Sequence, residues 1–86
     1  MIKGRTNGGF DYEISETRLD NMELVDALAE AQENPLKIGT VVTLLLGSEQ
    51  KKKLYDHLRL EDGTVPSGRV SEEIVEIFNS CKAGKN

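Results

Sequence analysis

The stretch Pro35-Leu36-Lys37-Ile38-Gly39-Thr40-Val41-Val42-Thr43-Leu44-Leu45-Leu46-Gly47-Ser48 decides how this chain folds. From Leu36 to Leu46 it is apolar nearly all round, and such a helix is the buried centre of a bundle. Pro35 suits a first helical turn, where its missing N–H is harmless. Gly47 suits a left-handed helix stop, and Ser48 a fresh N-cap. The stretch therefore predicts one helix over 35–46 and another over 49–60. The β-branched residues of Thr40 to Thr43, together with Gly39, keep a strand at 40–46 open as the alternative.

Upstream, Asp20 with Glu23 makes a capping-box-like start for a helix over 20–33. Met22, Val25, Leu28 and Ala29 are read as its apolar face, widened by Leu24 and Ala31. Asn34-Pro35 ends it, because the residue before proline leaves the α region. Further upstream, Phe10, Tyr12 and Ile14 alternate with Asp11 and Glu13, the period of a half-buried strand. With the turn at Asn7-Gly8-Gly9 they predict a β-hairpin over 1–14. Two strands are marginal alone, so this hairpin must pack on the helices. Downstream, Glu61-Asp62-Gly63-Thr64 is a turn. Val70, Ile74, Ile77, Phe78 and Cys81 then form the stripe of a helix over 70–81 that begins at Ser67 or Ser71. Residues 82–86 read as a polar tail. The expected class is α+β, mostly helical: an N-terminal hairpin followed by about four short helices, in one domain over 1–86.

Composition narrows the function. The 86 residues carry a net charge of −4. That balance opposes non-specific nucleic-acid binding and a polybasic membrane anchor. The longest apolar run, Val41 to Leu46, is interrupted by Thr43 and too short to span a bilayer. The N-terminus lacks a signal-peptide core, so a cytoplasmic location is expected.

No catalytic constellation emerges. His57 is the only histidine; its neighbour Asp56 does not face it on a helix. It reads as a surface residue favouring the end of its helix. Cys81, the only cysteine, lies on an apolar stripe, where a thiol is core filler and inert. There is no phosphate loop, no metal-ligand spacing and only a faint echo of a calcium loop at Asp62-Gly63. The chain therefore reads as a binding protein without a cofactor. Its expected contact surface is the surplus apolar face of the second helix, Val41, Val42, Leu45 and Leu46, which would meet a partner or a second copy of the chain. Charge offers two other surfaces. From Asp11 to Glu33 Arg18 is the only basic residue, and Lys51-Lys52-Lys53 forms a basic cluster. Solvated helix faces explain both, and docking is the sharper alternative.

The order of features resembles a known family. It runs from the glycine-containing hairpin with Phe10-Asp11-Tyr12-Glu13-Ile14 to Leu19-Asp20-Asn21-Met22-Glu23-Leu24. The apolar helix ending Leu44-Leu45-Leu46-Gly47-Ser48-Glu49-Gln50 follows, then Leu54 with Leu58, Asp62-Gly63 with Val65-Pro66, and Glu72-Glu73-Ile74-Val75-Glu76-Ile77-Phe78. This layout is similar, over almost the whole chain, to the small tail assembly chaperones of long-tailed phages and prophages of Gram-positive bacteria. The resemblance implies a non-enzymatic protein of the bacterial host cytoplasm. It would bind the tape measure protein, keep that protein's apolar helices soluble, and aid recruitment of the major tail protein that builds the tube. It implies no cofactor and transfers no binding residue. Members of that family are also made in a longer form by ribosomal frameshifting, and Gly84-Lys85-Asn86 is compatible with codons containing a slippery A-AAA-AAC run. The alternative from another class is a small DNA-binding regulator of a mobile element, with Lys51-Lys52-Lys53 as its only recognition surface.

Overall fold

The computed structural model describes residues 1–83. Strand β1 (Ile2–Arg5) pairs antiparallel with β2 (Asp11–Ile14), with Ile2 opposite Ile14 and Arg5 opposite Asp11. Helices α1 (Glu16–Leu19), α2 (Met22–Glu33), α3 (Ile38–Leu58) and α4 (Ser67–Ala83) follow, with a 3-10 turn at Pro35–Lys37 before α3. The class is α+β and mostly helical, as the patterning predicts.

The hairpin closes through Thr6. Its N–H donates to the carbonyl of Phe10 at 2.9 Å, and its buried hydroxyl accepts from the N–H of Phe10 at 3.0 Å. Phe10, Tyr12 and Ile14 are all buried, so the alternating face packs on the helices. Gly4 lets this happen. A Cβ there would lie 2.6 Å from Cζ of the Tyr12 ring, closer than atoms approach. The turn tip is tied to the helices at two points. Glu76 accepts from the N–H of Asn7 at 2.7 Å, and His57 Nε2 lies 2.9 Å from the carbonyl of Gly8.

Short-range capping sets the helix ends. Ser15 caps α1, accepting from the N–H of Arg18. Asp20 closes that single turn with its own N–H, so the N-cap of α2 falls to Asn21, which accepts from the N–H of Glu23 at 3.0 Å. Asn34 ends α2 through its N–H and starts the 3-10 turn through its side chain. The segment at 40–46 is helical, not a strand. Helix α4 starts at Ser67 and runs to Ala83, past the predicted stop at 81. Of the expected tail at 82–86, residues 84–86 lie outside the described residues.

Gly47 divides α3 into two limbs. Its φ of 84° and ψ of 165° are non-helical and belong to a region that only glycine occupies comfortably. The break leaves carbonyls of the first limb without helical N–H partners. Side chains from elsewhere supply them. Arg18 Nη1 donates to the carbonyls of Thr43 and Leu44 at 3.4 and 3.2 Å, and Gln50 Nε2 donates to that of Leu46 at 2.9 Å. The sole cation between Asp11 and Glu33 thus sits at a helix C-terminus, where positive charge is favoured.

Candidate protein-docking surface

The surface expected on the second helix does not exist. Val41, Val42 and Leu45 are completely buried and Leu46 nearly so. They lie in one cluster with Phe10, Tyr12 and Ile14 of the hairpin and Ile74 and Ile77 of α4. The reason is geometric. A helix apolar on every side needs neighbours on every side, and the hairpin, α2 and α4 supply them. The richness in Leu and Val that looked like a surplus is what a central helix of a small core requires.

The apolar residues left in water lie elsewhere. Met22 (65% exposed), Val25 (46%) and Leu36 (89%) belong to α2 and the turn that follows it, while Met1, Leu60 and Val75 are scattered over the N-terminus, the loop after α3 and α4. This turns α2 partly away from the predicted orientation: Leu24, Leu28 and Ala31 of the predicted face pack inward, whereas Met22, Val25 and Ala29 do not. Leu24 and Ala27 are buried and Leu28 and Ala31 half-buried, so that row faces α3. At about 100° per residue, Met22, Val25, Ala29 and Gln32 form a separate row on the outer side. Glu23, Asp26, Glu30 and Glu33 form a second outer row beside it, at the same i, i+3, i+7, i+10 spacing. All eight side chains are exposed, and none of the four carboxylates pairs with a cation among the described residues.

The basic cluster is less available than its sequence suggests. Lys51 is half-buried, donating to Thr43 Oγ1 at 2.9 Å with its ammonium 5.7 Å from the Tyr55 ring centre. Lys52 and Lys53 remain exposed. An open cleft of about 690 Å³ lies between the hairpin and the second limb of α3, lined in part by Tyr12, Leu46, Gln50 and Lys53. Its charges are of both signs: Lys3, Arg18 and Lys53 against Asp11, Glu13 and Glu49. Lys3 already pairs with Glu13 at 3.5 Å.

Compared with known proteins, the chain matches no family model, no curated protein and no solved structure.

The groups with chemical potential are engaged structurally. His57 is exposed, lies 5.9 Å from the Phe10 ring and serves the hairpin tip. Asp62 accepts from the hydroxyl and the N–H of Thr64, which hold its carboxyl below the usual range. Among the described residues, no cluster of three or more His, Cys, Asp or Glu could hold a metal ion, and no helix is long and apolar enough to cross a membrane. Glu73 is a buried carboxylate that the sequence does not single out. Its Oε2 is 4.0 Å from Arg69 Nη2, and its Oε1 has no hydrogen-bond partner among the described residues.

Cys81 is buried on α4, as its place in the apolar stripe predicts. Burial pushes its thiol pKa up, with a hydrogen bond to Tyr12 pulling the other way. Burial, then the charge of Cys81, pushes the Tyr12 phenol up as well. Both groups are acids held more tightly protonated in the folded state. Their stabilisation is therefore full below the unfolded values, about 8.5 for a thiol and about 10 for a phenol, and is lost as pH rises through the folded ones. Urea midpoints are expected to fall between pH 8 and pH 10. Cys81→Ala should flatten the part of that fall nearest the thiol range. A midpoint that holds or rises over this interval contradicts the assignment.

Proposed function

We propose that the chain is a non-enzymatic phage tail assembly chaperone of the bacterial cytoplasm. In this role it binds the tape measure protein and aids recruitment of the major tail protein. The observation that supports a binding role is the outer side of α2, where exposed apolar residues stand beside four carboxylates that pair with no cation among the described residues. Exposed apolar groups gathered on one element are what a partner-binding surface offers. The tail-specific part of the reading rests on the sequence resemblance. A chaperone for long apolar helices needs a surface that holds them, and no bond-making chemistry.

Co-expression with the tape measure protein of the element that encodes the chain tests this. The expected result is a soluble complex that copurifies, where the tape measure protein alone aggregates. Equal aggregation with and without the chain would overturn the proposal, as would the lack of a tape measure gene in that genome.

A further inference from the structure

We infer that the outer side of α2 docks a single cationic amphipathic helix of a partner protein. The inference deepens the reading of the chain as a binding protein and rests on it. Four observations carry it. The row Met22, Val25, Ala29, Gln32 repeats at alternating spacings of three and four, the periodicity with which one helix meets another. Ala29, in the middle of the row, is small, which lets a second helix axis come close. The inner row of α2 is already spent on α3, and the outer row is left exposed among the described residues. The four carboxylates beside it form no ion pair with any described residue, although the rest of the chain neutralises several of its acids with Arg or Lys.

That last point selects the occupant. A helix laid along α2 must put side chains next to Glu23, Asp26, Glu30 and Glu33, and Lys or Arg there gains attraction where Asp or Glu would repel. A second copy of α2 brings its own carboxylates against these and is disfavoured. Anionic lipid and nucleic acid are disfavoured on the same ground.

The test uses the full chain, isotopically labelled for amide shift mapping. Two synthetic peptides of about 20 residues, long enough to form helix on docking, share one leucine row and differ only in flanks of Lys or Glu. The Lys-flanked peptide is expected to shift amides across residues 22–33 and the Glu-flanked one to leave them in place. Met22→Ser/Val25→Ser should weaken binding at least about tenfold, as loss of central apolar contacts does. Asp26→Lys/Glu33→Lys should do the same through charge. These positions are exposed, so both variants should melt like the parent; if one does not, the other decides. Shifts confined to other elements, equal binding of the two peptides, or undiminished binding by a folded variant would overturn the inference. So would a dimer of the chain that Met22→Ser/Val25→Ser dissolves. If the Lys-flanked peptide docks on α2 while the tape measure protein does not bind, the tail-chaperone reading falls and this inference stands. If the tape measure protein binds both variants as well as it binds the parent, the opposite holds.

Discussion

Leu45→Asp is expected to unfold the protein outright. Leu45 has no exposed surface and sits on the central helix of the core. At ~0.05–0.15 kcal/mol per residue, a chain of this length holds only ~4–13 kcal/mol of folding free energy. Leu45→Ala alone should cost about 2–5 kcal/mol through lost transfer energy and the cavity left behind. An aspartate adds an unpaired charge in the same place, with an effective penalty of several kcal/mol more. Far-UV circular dichroism should show loss of helix for Leu45→Asp, and a lowered urea midpoint for Leu45→Ala. A folded Leu45→Asp protein with impaired binding would mean that the face of α3 lies open after all, and would return Val41, Val42, Leu45 and Leu46 to the list of contact residues.

Gly47→Ala should lower stability by about 2–4 kcal/mol, an unusual loss for adding one methyl group. Part of the cost is backbone. An L side chain at φ 84° and ψ 165° carries about 1–3 kcal/mol of strain. The remainder comes through Arg18, whose Nη2 lies 3.0 Å from where the new Cβ would sit. The guanidinium must shift and loosen its bonds to the carbonyls of Thr43 and Leu44. Arg18→Ala by itself should cost about 0.5–1.5 kcal/mol, the usual worth of a hydrogen bond between exposed groups. Because both changes disturb one contact, the double variant should lose less than the sum of the two. Full additivity in urea titrations would show that Arg18 does not hold the break.

The contrast between α3 and α2 shows what the sequence could carry. The central position of α3 was legible, since a segment apolar on all sides can only be surrounded. The two limbs were legible too, because Gly47-Ser48 reads as both a stop and a start. The orientation of α2 was not. It bears two apolar rows, Leu24/Ala27/Leu28/Ala31 and Met22/Val25/Ala29, and helical periodicity fits both. Only packing against α3 chooses between them. Counting apolar residues therefore placed the contact surface on the helix that had the most, whose apolar residues are spent on the core, whereas α2 leaves Met22 and Val25 exposed. Helix α1 escaped notice because one turn is too short to show a period, and it displaced the cap of α2 from Asp20 to Asn21. Glu73 was missed because a glutamate reads as solvent-facing by type, although it stands three residues after Val70 and four before Ile77 on the flank of the apolar stripe. The hairpin tip covers it: a Cβ on Gly8 would stand 3.1 Å from its carboxylate.

Gln50 has a further consequence. While its amide donates to the carbonyl of Leu46, it also imitates a neighbouring strand. Its Oε1 accepts from the N–H of Glu13 at 2.8 Å, and its Nε2 donates to the carbonyl of Glu13 at 2.6 Å. On the β2 side a side chain thereby occupies both backbone groups of Glu13, which another polypeptide would use to add a strand there. On the β1 side, Lys3 and Arg5 place charge along the margin. A two-stranded ribbon with loose edges is a template for uncontrolled growth. Here Gln50 blocks the β2 margin at Glu13 and the β1 margin is charged, so both edges resist the addition of a further strand.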